Sequence, residues 1–403
     1  MNPKDATGPL KGLRVLDLTR VLAGPTCTQM LGDLGAEVIK IERPGAGDDT
    51  RGFAPPVMPG TDQSAYFIGV NRNKRSVTLD IAAPEGQKIV RKLLEDTDIL
   101  VENFKVGALA KYGLGYEQVH RDFPSIVYCS ITGFGQTGPY APRPGYDALI
   151  QAMGGVMSLT GEIEGEPQKV GVPVADLFAG LYGCIGILAA LRHREKTGEG
   201  QQVDIGMLDT HVAWLANQGM NYLATGKNPP RLGNQHPNIV PYQVFPTKDG
   251  YMVLSIGNDP TFKRFCEAFE LTHLLKDARF ATNPARVANR QVVTDTLTPT
   301  MRKHPTAWWI EKLEALKIGC GPINTLKDVF ADPHVIDRGM VVDMMHTSGE
   351  MVKVIANPVK LSETPADYRV PPPTLGEHTE TILRDLLGMS VREIGKLRDK
   401  GII

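Results

Sequence analysis

The chain has 403 residues, 42% apolar and 22% charged, a balance that suits a folded protein with room for two domains and excludes disordered and fibrous classes. Its formal net charge of -1 provides no basic field for nucleic acid or an anionic membrane, so any anion must be held by a few placed side chains. The five cysteines are scattered, without C-x-x-C spacing, which fits free thiols in a reducing compartment, the cytoplasm or an organelle matrix, better than disulfides or a metal site.

The opening segment MNPKDATGPLKG has no apolar run, so no secretory signal is expected. Residues 14–18 alternate as a buried strand would. A helix is expected near Cys27, and Pro25 does no harm in its first turn. Between them lie Leu22, Ala23 and Gly24, whose amides could meet a phosphate at the carboxyl edge of a parallel sheet. A second strand, 37–41, ends at Glu42, where a dinucleotide-binding unit keeps the acid that holds the ribose. The G-x-G-x-x-G turn that should precede it is absent, which ranks a nicotinamide enzyme low and leaves Glu42 and Arg43 readable as a solvated strand end.

Further strands at 76–80, 99–102 and 126–131 alternate with helical patterns such as 85–94, the rhythm of an α/β protein with a Rossmann-like, doubly wound parallel sheet. The apolar run 177–191 falls short of the roughly 20 residues a bilayer span needs. With Gly180, Gly183 and Gly186 three apart, it is expected to be a buried helix that lets a neighbour approach closely. Strand 203–205 follows the turn KTGEGQ, and GKNPP at 226–230 resembles a linker. Three segments result: 1–226 as the large domain, 227–331 as a smaller α+β domain, and 332–403 as a tail too small for its own core that returns to the large domain. Within the smaller domain, strands at 241–246 and 251–255 flank Lys248-Asp249-Gly250, and helices are expected near 262–269 and 306–316. The tail carries Pro371-Pro372-Pro373 and one last helix opened by Gly376-Glu377-His378-Thr379.

Asp176, in GVPVADLFAGLYG, stands at the mouth of the apolar helix. As an N-cap it would accept backbone hydrogen bonds and be held ionised by the helix dipole. The alternative is a carboxylate nucleophile, weak in general but able to convert a thioester into an acyl anhydride. There is no G-x-S-x-G elbow, H-E-x-x-H or P-loop to support serine hydrolysis, zinc peptidase or ATP chemistry. The nine histidines are dispersed. His193 and His211 fall on helical patterns as satisfied surface or boundary residues, and His236 and His378 sit in loops without an evident partner. Asn103 and Phe104, followed by Lys105 and Lys111, close a strand at the crevice side, where an aromatic and two cations would suit coenzyme A. A helix start with solvated lysines would read the same.

Taken together, RVLDLTRVLAGP, GAEVIKIERPGAGDDTR, NRNKRSVTLD, DILVENFKVGAL, SITGFGQTGPY, RPGYDALIQAMGG, VADLFAGLYG and REKTGEGQQVDIGMLD resemble the class III coenzyme A transferase family, which includes formyl-CoA transferase, carnitine CoA-transferase and α-methylacyl-CoA racemase. The resemblance runs from Leu10 to the LGEHT near the end. It implies an interlocked homodimer whose partners are itself, acyl-CoA and small carboxylic acids, with no nucleic acid, no membrane, no metal and no permanently bound cofactor. Coenzyme A enters as substrate. It places the nucleophile at Asp176 and the CoA contacts at Leu22, Ala23, Arg43, Leu79, Asn103, Phe104, Lys105, Lys111 and Tyr146.

Departures narrow the choice within the family. Leu22 stands where formyl-CoA transferases have glutamine, and their glycine run is missing around 255–259, so oxalate and formyl-CoA are not expected as substrates. Racemases have a proton-carrying histidine where this chain has Tyr146, and a tyrosine with an ordinary pKa of about 10 is a poor base at neutral pH. The segments IVPYQVFPTKDGYMVLSIGN, GPINTLKDVFADPHV and VPPPTLGEHT resemble the succinyl-CoA:glutarate type of dicarboxylate transferase. Its acceptor needs a cation for the distal carboxylate. Arg51 or Arg72 could supply it, unless both only pair with acidic neighbours. The implied route passes through aspartyl anhydrides and an aspartyl-CoA thioester, with loops near Gly257-Asn258 excluding water.

Overall fold

Six strands, β1 (Arg14–Asp17), β2 (Glu37–Glu42), β3 (Lys74–Thr78), β4 (Ile99–Glu102), β5 (Val127–Thr132) and β6 (Gln202–Gly206), form one parallel sheet in the order β3-β2-β1-β4-β5-β6. The computed structural model describes residues 6–403; the first five residues of the segment tested for a secretory signal lie outside the described residues. Val15 pairs with Val38 on one side and Ile99 on the other, so the strand order reverses between β1 and β4. In a sheet of this kind a ligand crevice opens at that reversal, beyond the carboxyl ends of the strands. Helices cover both faces, which is why the strands are short apolar runs rather than alternating ones.

Helix α1 (Ala23–Asp33) begins at Ala23 rather than near Cys27, which brings Leu22 and Ala23 to the crevice as the helix start. Next come α2 (Ala65–Gly69), with Ser64 Oγ accepting the Tyr66 N–H, and α3 (Pro84–Leu94), which opens on a proline and buries Ile89, Val90, Leu93 and Leu94. They are followed by α4 (Tyr116–Asp122) and α5 (Asp147–Met153).

The helix Val174–Thr197 is longer than the expected 177–191, and by length and composition it could cross a membrane. Its glycine face is instead packed inside the protein. A Cβ on Gly180 would lie 2.6 Å from the Ala23 carbonyl oxygen, and one on Gly186 would lie 2.6 Å from Val203. The expectation of a buried helix holds for that face alone, because Leu181, Tyr182, Ile185 and Leu188 are 37–60% exposed on the other.

The chain divides into two units, one of residues 1–155, 170–215 and 336–403 and the other of 156–169 and 216–335. The expected borders at 226 and 331 therefore move, and GKNPP lies inside the second unit. Helix Ala216–Thr225 goes with that unit because Asn217 and Asn221 hydrogen-bond to Asn238. The tail returns to the first unit: Asp80 N–H donates to the Ile402 carbonyl at 2.8 Å and His378 N–H to the Ser76 carbonyl at 2.9 Å. It contains a hairpin, β10 (Val341–Met345) and β11 (Met351–Ile355), and two final helices, Thr379–Asp385 and Val391–Asp399, where one was expected. Ile382, Leu383, Ile394 and Leu397 join the core of Leu16, Ile39 and Leu100. The second unit has an antiparallel sheet of β7 (Tyr242–Pro246), β8 (Tyr251–Ser255) and β9 (Gly319–Pro322), backed by helices that bury Phe262, Phe265 and Trp309. Strand β9, Gly-Cys-Gly-Pro, gives no propensity signal.

Candidate active site

A cavity of about 610 Å³ opens beyond the carboxyl ends of β1, β4 and β5, wholly within the first unit. Of the residues proposed from sequence, Leu22, Ala23, Asn103, Phe104, Lys105, Tyr146 and Asp176 line it. A smaller cavity of about 180 Å³ adjoins it at Arg20 and Phe104, and is lined by Arg43 and Leu79 together with Ile41 and Tyr112. Lys111 lines neither cavity; its ammonium lies 4.6 Å from the centre of the Tyr112 ring. Arg43 is largely exposed and pairs with Asp49, which also pairs with Arg20, so an incoming phosphate would compete with that carboxylate.

Asp176 sits in the first turn of the long helix, but Pro173 is the N-cap, and the expected capping role belongs to another residue. Asp147 performs it: one oxygen accepts the Ala175 N–H at 2.9 Å and the other accepts the Gln151 amide at 2.7 Å. Asp147 also lines the cavity, so two carboxyl groups face the same space. Burial first, and the Asp147 charge second, push the pKa of Asp176 up to about 7. This overturns the expectation that the helix dipole keeps Asp176 ionised; desolvation and a like charge outweigh it.

Tyr66 feels the same field. Burial, then Asp176 and Asp147, push its phenol up to about 12, so it remains an O–H donor throughout the neutral range. Sequence reasoning missed Asp147, which had a signal, an acid directly after Tyr146 in PGYDAL; Tyr66 does not line the cavity. Tyr146 itself is 71% exposed and precedes α5 as its N-cap. Two glycines bring that segment to the sheet: a Cβ on Gly133 would stand 2.5 Å from the Gly145 Cα. His211 lies outside the cavity lining and is fully buried, not at a boundary; neither ring nitrogen has a hydrogen-bond partner among the described residues, and burial depresses its pKa.

The two arginines considered for a distal carboxylate are engaged elsewhere. Arg51 donates to both oxygens of Glu42, at 2.8 and 2.6 Å, and to the Pro373 carbonyl. Arg72 makes a bidentate pair with Asp33, at 2.9 and 2.6 Å, and is buried. Neither lines the cavity that holds Asp176. Glu42 is not a solvated strand end: it is buried, accepts from Arg51, Ser76 and the Asp48 N–H, and its pKa is lowered despite the burial. Its oxygens are thereby committed to protein partners, which removes the remaining attraction of a ribose-binding reading. Among the described residues, two cations that line the cavity have no carboxylate partner within ion-pair distance, Lys105 and Arg143, and the Arg143 guanidinium lies 3.9 Å from the centre of the Tyr140 ring.

Residues 10–379 match the model of CoA-transferase family III. A protein of Agrobacterium fabrum named succinate–glutarate CoA-transferase is 47% identical over 382 residues, covering 94% of this chain and 96% of the relative. A human protein named succinyl-CoA:glutarate CoA-transferase is 44% identical over 395 residues, covering 98% of this chain and 90% of that one. The crystal structure of a CaiB/BaiF family protein from Brucella suis superposes with a TM-score of 0.83 at 47% identity, covering 94% of this chain and all of the other. With the sheet, the crevice and a cavity-facing aspartate where the sequence motifs put them, these likenesses establish that the chain belongs to the class III CoA-transferase family.

Proposed function

We propose that this enzyme moves coenzyme A from an acyl-CoA donor, succinyl-CoA by preference, to a C4 to C6 dicarboxylate such as glutarate, with Asp176 as the nucleophile. The observation that carries the reading is Asp176 itself, a carboxyl group facing the cavity without a cation paired to it among the described residues. An ion-paired carboxylate would be a poorer nucleophile. The names of the similar proteins from Agrobacterium fabrum and human support the choice of acids.

Ionised Asp176 attacks the donor's thioester carbonyl, the C–S bond breaks, and a mixed anhydride and CoA thiolate result. The thiolate then attacks the aspartyl carbonyl, releasing the donor as its carboxylate and leaving an aspartyl-CoA thioester. The acceptor carboxylate attacks that thioester and expels the thiolate. The thiolate finally opens the second anhydride at the acceptor's carbonyl, giving the new acyl-CoA and restoring Asp176. Each step exchanges one acyl bond for another, so no net proton or electron is consumed.

The small cavity between Leu79 and Tyr112 suits a purine, with Arg43 in its lining and Lys111 behind Tyr112 as cations for phosphates, and Phe104 and Lys105 on the path toward Asp176. Arg143 replaces Arg51 and Arg72 as the cation for the distal carboxylate. The exposed Leu181, Tyr182, Ile185 and Leu188 fit a homodimer contact, testable by light scattering. Five free cysteines fit a reducing compartment, cytoplasm or organelle matrix.

Asp176→Ala should abolish transfer from succinyl-CoA to glutarate while acyl-CoA binding persists, and hydroxylamine should trap the wild-type thioester at Asp176. Substantial turnover by the folded variant would refute the assignment. A pKa of about 7 would also suit a proton carrier in a racemase. Exchange of the α-proton in a chiral 2-methylacyl-CoA would favour that reading; its absence, with transfer present, favours the transferase.

A further inference from the structure

Residues 19–21, between β1 and α1, belong to no strand or helix, yet the buried side chains of Asp17, Lys40 and Asp48 and the half-buried Asn103 hold their backbone at five successive polar groups. Asp17 accepts the Thr19 N–H at 2.8 Å, and Lys40 donates to the Thr19 carbonyl at 2.8 Å. Asn103 accepts the Arg20 N–H at 2.9 Å and donates to the Arg20 carbonyl at 2.7 Å. Asp48 accepts the Val21 N–H at 3.2 Å. Val21 has φ 71, the left-handed region, which a β-branched residue occupies only when its surroundings force it. The next two residues, Leu22 and Ala23, line the cavity with Asp176.

The tethers are anchored on charge. Lys40 and Asp48 pair at 2.9 Å with both side chains at 0% exposure, and Asp17 pairs with Lys74 at 3.2 Å, also at 0%. Asp48 further accepts from the Thr50 backbone and hydroxyl at 3.0 and 2.8 Å, so its position is fixed on several sides. Buried ion pairs are weak contributors to stability, because desolvation offsets their attraction. Neither Lys40 nor Asp48 lines the cavity of Asp176, although both line the smaller cavity that adjoins it.

We propose that the Lys40–Asp48 pair is a positioning device for the catalytic turn: it holds Val21 in its left-handed conformation, so that Leu22 and Ala23 meet the substrate beside Asp176. The proposal rests on the Asp176 cavity being the site of CoA transfer. It concerns the geometry of one wall and is independent of which acid is the acceptor.

The test removes both charges together, so that neither is left buried alone, in Lys40→Met/Asp48→Ala, and then adds Val21→Gly, since glycine adopts the left-handed conformation without the steric penalty. The double variant should lose about 10- to 100-fold in kcat, measured at saturating acyl-CoA because both side chains also border the cavity proposed for the purine. Val21→Gly in that background should restore at least 10-fold, which a general loss of packing would not allow. An unchanged kcat, or a loss that Val21→Gly leaves untouched, would overturn the proposal. Should the double variant not fold, hydrogen exchange on the wild type decides: the Thr19, Arg20 and Val21 amides should be protected as strongly as those of α1, and exchange at the rate of an open loop would overturn it. Hydroxylamine trapping at Asp176 in the wild type reports separately on the transferase reading.

Discussion

Asp176→Asn should make the protein more stable at pH 8 than the wild type while ending its activity, and the gain should vanish in acid. The folded-state pKa of Asp176 is raised from an ordinary 3.8 to about 7. For an acid raised in this way the unfolded chain gives up its proton first. The penalty is absent below about pH 4, grows as pH rises between the two values, and is complete above about 7. At about 1.4 kcal/mol per pKa unit the full penalty is on the order of 4 kcal/mol, and water entering the cavity reduces it to roughly 2 to 4 kcal/mol. Asparagine keeps the shape and does not ionise, so it escapes the penalty. Asp176 makes no capping bond that the substitution would break. Denaturant unfolding of both proteins at pH 4.5 and pH 8 provides the measurement. An equal difference at the two pH values, or a variant less stable than wild type at pH 8, would refute the electrostatic account of the site.

The rate of transfer should fall on the acid side of about pH 7, to roughly a tenth of its plateau one unit below, and Asp147→Asn should move this limb to lower pH because it removes a like charge while keeping an acceptor for the Ala175 N–H; a pH profile of kcat/KM for each protein checks it. Gly133→Ala should cost about 1 to 3 kcal/mol and lower kcat, since its Cβ would stand 2.5 Å from the Gly145 Cα and push Tyr146 and Asp147 away from the sheet; thermal melts and single-turnover rates measure both. Arg143→Ala should reduce the preference for glutarate over butyrate by about 10- to 100-fold, whereas Arg72→Ala should leave the preference intact and cost about 3 to 5 kcal/mol by stranding buried Asp33; competition between the two acids, read by mass spectrometry, separates the roles.

The strand and helix rhythm of the first unit was legible because a parallel sheet covered on both faces writes short apolar runs, and the glycines at 180, 183 and 186 announced a close approach. The crevice followed from strand order, and seven of the proposed site residues do line the large cavity. What was misread shares one cause. Glu42 looks solvated in sequence, and Arg51 and Arg72 can be read either as ligands for a distal carboxylate or as partners of acidic neighbours, because nothing local reveals which counterion a charge will meet in the folded chain. Arg72 finds Asp33 in α1 and the Ile355 carbonyl in β11, and Arg51 reaches both Glu42 and the tail at Pro373. The domain borders shifted for a similar reason, since Asn217 and Asn221 find Asn238 only in the folded chain.

The acids along this edge of the sheet also explain how one of them becomes the nucleophile. Asp17 has Lys74 and Lys40, Glu42 has Arg51, and Asp48 has Lys40, and all three lie below the ordinary carboxylate range, Asp48 at about 2. Each is fixed as an anion and its lone pairs are occupied. Asp176, with Asp147 as its charged neighbour in place of a cation, differs from them, and its oxygens accept no hydrogen bond among the described residues; Glu102 at the end of β4 is also pushed up to about 7 by burial, but it accepts the Phe104 N–H and does not line the cavity. Such a carboxyl group is costly to ionise, and once ionised it has more to gain by forming a bond than by remaining an ion. Supplying Asp176 with a cation would therefore stabilise the fold and slow the reaction. The buried pairs around it hold the walls still, and the unpaired acid is the group left to react.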